Sequence, residues 1–108
     1  MKNWEINYHD LAKDEVKALP TKLLARYFAL ADRMKISGPN LGYPHTSKLR
    51  DDLYEIRVSA QEGIARAIYF SMKNNQIWIL RCFVKKTQKT PKNELEIASN
   101  RQKELNNE

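Results

Sequence analysis

Alternation of apolar and polar residues at the start of the chain predicts a half-buried strand. Apolar side chains recur there at every second position, which is the repeat of a pleated strand with one face in the core. They are Trp4, Ile6 and Tyr8. A short helix is expected next, over Leu11–Leu19, with Asp10 as its N-cap. Pro20 either interrupts it or is the first residue of the next helix.

The longest helical pattern lies between Pro20 and Gly38. Apolar residues in this stretch are three or four positions apart, so they form one stripe along a helix. The stripe consists of Leu23, Leu24, Tyr27, Phe28, Ala31 and Met34. Because glycine and proline both interrupt helices, this one should end at residues 37–39, and a loop is expected over 38–47.

Three apolar segments in the second half of the chain predict consecutive strands, Leu53–Val58, Ile64–Met72 and Gln76–Val84. Asn74-Asn75 should form the tight turn between the last two, because asparagine tolerates left-handed backbone angles. A final helix is expected from Pro91 to about Leu105, with Thr90 as its N-cap. Its apolar stripe is thin, which predicts a helix that lies loosely on the domain or docks fully only with a partner.

This order of elements predicts an α+β fold in a single domain covering residues 1–108. We expect a small, mostly antiparallel sheet of about four strands. Two N-terminal helices should cover one face, followed in sequence by a C-terminal helix, and residues 106–108 should form a frayed tail. The opposite face of the sheet would be partly open.

Composition adds a preference for polyanionic partners. The 108 residues include 19 Lys and Arg against 13 Asp and Glu, a net charge of +6 that favours nucleic acid or an acidic protein. The single cysteine, Cys82, lies in an apolar strand and is expected in the core, which suits a reducing compartment. No membrane span or export signal is visible, so a cytoplasmic protein without a membrane partner is predicted.

The period of the predicted strands places several charged side chains on shared faces. Glu55 and Arg57 should lie on one face, and Arg57 and Arg66 flank a hairpin and should come close together. Two neighbouring cations repel each other unless an anion lies between them, and a phosphate or a carboxylate would serve. An internal ion pair, for example Glu55 with Arg66, is the alternative, and the pattern alone favours it slightly.

The last strand adds a third arginine and a lysine cluster. A strict two-residue repeat places Ile77, Ile79, Arg81, Phe83 and Lys85 on one face. The basic residues that follow are Lys85, Lys86, Lys89 and Lys92. They predict either a grip on a polyanion or a solvated turn before a helix. His9 and His45 have no metal-ligand spacing and are expected at the surface; no metal or other cofactor is predicted.

The chain resembles the RelE/ParE superfamily of toxins, and within it the phage-derived and HigB-type branch. The resemblance lies in Leu53–Arg57 (LYEIR), Arg66–Tyr69 (RAIY) and, above all, Phe83–Pro91 (FVKKTQKTP). It implies a RelE-like fold and the toxin half of a type II toxin–antitoxin pair. It also implies a metal-independent, ribosome-dependent mRNA endoribonuclease, that is, an mRNA interferase that inhibits translation.

The resemblance also implies roles for individual residues. Arg66 stands at the place of the family's main catalytic arginine and Arg57 at a basic position on the preceding strand. Glu55 is a candidate base for a separate reason, its position on the predicted face of Arg57. Lys85, Lys86 and Lys89 would grip RNA or transfer a proton, and RNA contacts are expected from Arg81, Tyr69, Gln88 and Lys92. The chain departs from the classical pattern because no tyrosine follows Phe83.

Two other functions stay open at this point. A ParE-like relative would poison DNA gyrase, and a non-enzymatic basic module would only bind nucleic acid or an acidic protein. The resemblance further implies a cognate antitoxin, typically a HigA-like helix-turn-helix DNA binder, with the ribosome and mRNA as the other partners.

Overall fold

The computed structural model describes residues 3–86 and 89–106, which form five strands and three helices. In chain order these are β1 Glu5–Tyr8, α1 Asp10–Lys17, α2 Thr21–Ser37, β2 Thr46–Arg50, β3 Leu53–Ala60, β4 Gly63–Met72, β5 Gln76–Lys85 and α3 Lys92–Asn106. The predicted α+β class is confirmed. Strand β2 was not predicted, because its sequence TSKLR contains a single apolar residue, Leu49.

One mixed sheet contains all five strands, in the order β1-β5-β4-β3-β2. The β2–β3, β3–β4 and β4–β5 pairs are antiparallel, whereas β1 runs parallel to β5. The turn between β4 and β5 uses Asn74 and Asn75 with φ of 66° and 59°, as the sequence predicted. The central strand β4 is therefore buried between neighbours, and residues on β3 and β5 lie beside it.

Helices cover both faces of the sheet. On one face α1 and α2 pack on alternate sheet residues such as Ile56, Ala67 and Ile79. On the other face a smaller cluster that includes Ile68, Phe70 and Leu80 lies against Ala98, Leu95 and Leu105 of α3. Among the helices in the described residues, none is long and apolar enough to cross a lipid bilayer.

A bulge in β5 changes which residues of this strand share a face. Ile68 pairs with Arg81 and Tyr69 pairs with Ile79, which leaves Leu80 as an extra residue on β5. Ile77, Ile79 and Cys82 consequently belong to the α1/α2 core, whereas Leu80 and Phe83 belong to the α3 core. The prediction that Ile77 and Ile79 share a face with Phe83 is therefore wrong.

The start of α1 also differs from the prediction. His9, not Asp10, is the N-cap, and its Nδ1 accepts a hydrogen bond of 3.2 Å from the Leu11 N–H. His9 is buried rather than at the surface, and its Nε2 lies 3.4 Å from Glu104 Oε1 on α3. A histidine can cap a helix through its acceptor nitrogen, although the common caps are shorter side chains.

Gly38→Ala is expected to lower the free energy of unfolding by about 1–3 kcal/mol, because Gly38 has φ 95° and ψ 177°, a conformation nearly restricted to glycine. An added Cβ would also lie 3.3 Å from Trp4 Nε1. Gly42→Ala is the matched control, since φ is 87° there but nothing lies within 4 Å of the added Cβ. Urea denaturation should show the larger loss for Gly38→Ala, and equal losses would rule out a contribution from Trp4.

Candidate functional site

Pairing of β3 with β4 brings the two predicted arginines together. Arg57 and Arg66 are directly opposite each other in the antiparallel register. Such pairs have Cβ atoms roughly 4.5–5.5 Å apart, so two guanidinium groups share one patch of the sheet. Arg66 is also opposite Phe83 of β5, and Phe83 belongs to the α3 core, so the patch lies on the face that α3 covers.

Glu55 lies two residues before Arg57 on the same face and is the acceptor at the centre of the site. Its Oε2 accepts hydrogen bonds from Arg57 Nη1 at 3.0 Å and Ser47 Oγ at 3.1 Å. Its Oε1 accepts one from Thr90 Oγ1 at 2.6 Å. Arg66 Nε lies 3.6 Å from the same Oε1. One buried carboxylate is thus shared by two arginines and two hydroxyl groups.

Arg66 is the most deeply buried cation of the site. Its side chain is 2% exposed, and Nη1 donates a hydrogen bond of 2.9 Å to the Ala65 carbonyl. Within the described residues Nε makes no hydrogen bond. The ion pair with Glu55 that the sequence offered as an alternative is therefore present, and it leaves this buried donor unsatisfied, which costs free energy.

Positive charge is in excess here. Burial lowers the pKa of Arg66, and the neighbouring Arg57 charge lowers it further. Burial likewise lowers the pKa of Lys85, and the neighbouring Arg66 charge lowers it further. Lys85 is paired with Ile64 at the end of β5 and is buried. Three cations therefore surround one carboxylate, and an added anion would relieve their repulsion.

Arg57 is the member of this group that faces solvent. Its side chain is 20% exposed, against 2% for Arg66. The guanidinium carbon lies 4.9 Å from the centre of the Tyr43 ring, within the range of a cation–π contact. An incoming anion would therefore meet Arg57 first.

The structure places Arg81 in a second ionic cluster. Its Nε donates to Glu94 Oε1 at 2.8 Å and its Nη1 donates to Glu15 Oε2 at 2.5 Å. Arg101 donates to both Glu15 oxygens, at 2.8 and 2.9 Å, and to the Leu80 carbonyl at 2.9 Å. These contacts join α1, β5 and α3, so the prediction that α3 lies loosely on the domain is wrong.

The other residues predicted to contact RNA are scattered. Tyr69 is fully buried in the α1/α2 core, and its hydroxyl donates to the Pro39 carbonyl at 2.5 Å. A contact between Tyr69 and RNA would require the ring to leave that core. The lysines Lys86, Lys89 and Lys92 are exposed, and Gln88 lies outside the described residues.

Sequence reasoning missed Ser47, Thr90 and Tyr43 as neighbours of the arginines. Thr90 was predicted as a helix N-cap, but α3 begins at Lys92 and the Thr90 hydroxyl binds Glu55. No signal in the sequence pointed to these contacts, since Ser47 lies on the unpredicted strand β2 and the other two depend on how loops fold against β3. Among the side chains in residues 3–86 and 89–106, no group of three or more His, Cys, Asp or Glu could hold a metal ion.

The comparison with protein families identifies the family of this chain. A model described as "Phage derived protein Gp49-like (DUF891)" matches residues 14–103. The chain belongs to this phage-derived Gp49-like family. The match includes β2 through β5 and most of α3, so the entire candidate site lies inside it. Among curated protein sequences, none matches the chain.

Three solved structures show that this chain has the fold of RelE and YoeB proteins. They are the toxin–antitoxin complex RelBE2 of Mycobacterium tuberculosis, the archaeal RelE–RelB complex of Pyrococcus horikoshii and the YoeB–YefM complex of Staphylococcus aureus. Sequence identities are 16%, 22% and 19%, each with a TM-score of 0.58. The alignments cover 77%, 78% and 77% of this chain and 99%, 96% and 98% of those chains. The predicted RelE-like fold is thereby confirmed, and the family match confirms the predicted phage-derived branch.

Proposed function

We propose that this Gp49-like protein is the toxin of a type II toxin–antitoxin system and cleaves mRNA on the ribosome. The observation that carries the proposal is the convergence of Arg57, Arg66 and Lys85 on the single carboxylate of Glu55. The site lies on a fold shared with toxins of the RelE and YoeB kinds. A cluster with this charge suits the phosphodiester of RNA.

RNA supplies its own nucleophile, so the protein must orient it and stabilise charge. The 2′-oxygen attacks the adjacent phosphorus, the bond from phosphorus to the 5′-oxygen breaks, and a 2′,3′-cyclic phosphate forms. Negative charge grows on the phosphate oxygens during this step. Arginines suit the task of neutralising it, because they stay protonated and bind two oxygens with one planar fork.

Each residue then has a defined task. Arg57 and Arg66 bind the scissile phosphate, and Glu55 accepts the proton of the 2′-hydroxyl. Without substrate, the Thr90 hydroxyl donates a hydrogen bond to Glu55 Oε1. When RNA binds, its 2′-hydroxyl replaces the Thr90 hydroxyl as the donor to this oxygen. Lys85, whose pKa burial lowers, donates a proton to the leaving 5′-oxygen. Lys86 and Lys89 hold the RNA strand near this centre.

The partners follow from the same proposal. The solved relatives are complexes with antitoxins, and we propose a cognate antitoxin here, of the helix-turn-helix, HigA-like kind. An acidic segment of that antitoxin would neutralise the basic surface. Action on translating ribosomes places the protein in the cytoplasm.

Mapping of RNA 5′ ends in cells after a short induction of the protein tests this function. Cleavage predicts discrete new 5′ ends within translated mRNAs, which disappear when translation initiation is blocked. DNA breaks that are trapped on gyrase, without new RNA ends, would contradict the proposal and favour the ParE-like alternative. Growth arrest with neither signal would favour a binding module that does not cut.

A further inference from the structure

A basic cavity lies at the edge of the sheet, beside the candidate catalytic site. It has a volume of about 350 Å³ and lies between α2, the loop after it and β3. Four side chains that bind anions line it: Arg26 and Arg33 from α2, His45 from the loop and Arg57 from β3. Arg57 therefore belongs to both places, because its Nη1 donates to Glu55 while the residue forms one wall of the cavity.

Two charges of this cavity, those of Arg26 and Arg33, are not neutralised within the described residues. Arg26 and Arg33 are exposed, and within the described residues neither makes an ion pair or a side-chain hydrogen bond. The described lining contains no carboxylate. Seven residues are two helical turns, so both guanidinium groups extend from the same side of α2, roughly 10 Å apart along its axis. Arg81, in contrast, forms ion pairs with two carboxylates.

An exposed aromatic ring lies next to Arg57, the arginine at the β3 wall of the cavity. Tyr43 is 76% exposed although it is a large aromatic residue, and the Arg57 guanidinium lies over its ring at 4.9 Å. Bases of single-stranded RNA bind proteins by stacking on aromatic rings and on arginine planes. The ring and the basic cavity thus offer the two contacts that one unpaired nucleotide needs.

We propose that this cavity is a second nucleotide subsite for single-stranded RNA, next to the scissile linkage. Arg26 and Arg33 bind a phosphodiester of the strand, and Tyr43 stacks on a base. The inference rests on the proposed function, because Arg57 joins the subsite to the candidate catalytic centre. It extends that function by naming where the neighbouring part of the substrate strand lies.

Binding of an RNA that cannot be cleaved tests the subsite without requiring catalysis. The probe is a fluorescein-labelled single-stranded RNA of ten nucleotides with 2′-O-methyl groups throughout, and its affinity for the full-length protein is measured by anisotropy. R26A/R33A should weaken binding at least ten-fold and reduce the slope of log affinity against log salt by about 0.7, the value for one lost phosphate contact on a single strand. K13A/K17A is the matched control, because it removes two exposed positive charges from α1.

The control should keep its affinity within about two-fold. Equal weakening by both double variants would overturn the proposal, because it would indicate long-range attraction without a site. Unchanged binding by R26A/R33A would also overturn it, as would a wild-type protein that binds an acidic peptide of glutamates but not the RNA. Circular dichroism melts check that the variants fold.

Tyr43 provides an independent readout. Tyr43→Leu should weaken binding of the same probe at least five-fold through loss of base stacking, whereas Tyr43→Phe should retain it. Equal affinities of the two variants would overturn the stacking contact. If these variants behave as expected and the wild-type protein cuts no mRNA, the subsite stands and the proposed endoribonuclease activity fails.

Discussion

Arg66→Ala is expected to lower mRNA cleavage on programmed ribosomes by about 10²–10³-fold, the usual effect of removing one donor that stabilises a transition-state charge. Arg66 lies opposite Arg57 in the sheet and 3.6 Å from Glu55, and its Nε has no hydrogen-bond partner among the described residues. A phosphate oxygen would satisfy that donor. Single-turnover cleavage of a defined mRNA on purified ribosomes measures the effect.

Folding must be separated from catalysis in this experiment, because Arg66 is buried and a smaller side chain also changes packing. Thermal unfolding of the variant should show that it is folded at the assay temperature. Arg50→Ala is the matched control, since Arg50 is exposed on β2 and its one hydrogen bond within the described residues is weak, 3.5 Å from Nη2 to Ser99 Oγ. Undiminished cutting by Arg66→Ala would remove this residue from the active site.

Glu15→Ala should lower the free energy of unfolding by about 3–5 kcal/mol, since it removes one partner from a network of partly buried charges. Glu15 accepts hydrogen bonds from Arg101, Arg81 and the Cys82 N–H. Without it, the buried Arg101 loses its only carboxylate partner among the described residues. Urea denaturation at pH 7 measures the loss, with Asp14→Ala as control because Asp14 is exposed on the same helix.

The contribution of Glu15 should also depend on pH. Burial raises the pKa of this carboxyl, but hydrogen bonds from Arg101 and the Cys82 N–H outweigh burial and lower the pKa below its ordinary 4.5. The stabilisation is therefore complete above about pH 4.5 and is lost as the pH falls through the lower, folded-state pKa. The stability difference between wild type and Glu15→Ala should narrow below pH 4.5; a constant difference would contradict this role.

Much of the fold could be predicted, because the spacing of apolar residues along the chain reflects which side chains are buried. The stripe on α2, the two hairpins and the Asn74-Asn75 turn all follow from local sequence. The attachment of α3 to the sheet could not be predicted from apolar periodicity, because the buried face of this helix contains charged residues. Glu94, Ala98, Arg101 and Leu105 are three or four residues apart, so the stripe that looked thin is completed by two ionic residues whose partners lie on distant elements.

Only part of the candidate site could be predicted from the sequence. A two-residue repeat places Arg57 opposite Arg66 once the hairpin register is known, and the structure has that register. The same repeat failed in β5, where the bulge at Leu80 changes which residues share a face. Ser47, Thr90 and Tyr43 could not be predicted, because they reach Glu55 and Arg57 from an unexpected strand and from loops.

Attack by the RNA's own 2′-hydroxyl can be tested by cutting an mRNA that carries one 2′-deoxynucleotide at a previously mapped cleavage site. On wild-type protein and programmed ribosomes, cleavage at that position should vanish while other sites are still cut. Unmodified mRNA should give fragments that end in a 2′,3′-cyclic phosphate and begin with a 5′-hydroxyl. Continued cutting at the deoxynucleotide would mean that water or a protein group attacks the phosphorus, and the roles proposed for Glu55, Arg57, Arg66 and Lys85 would then be wrong.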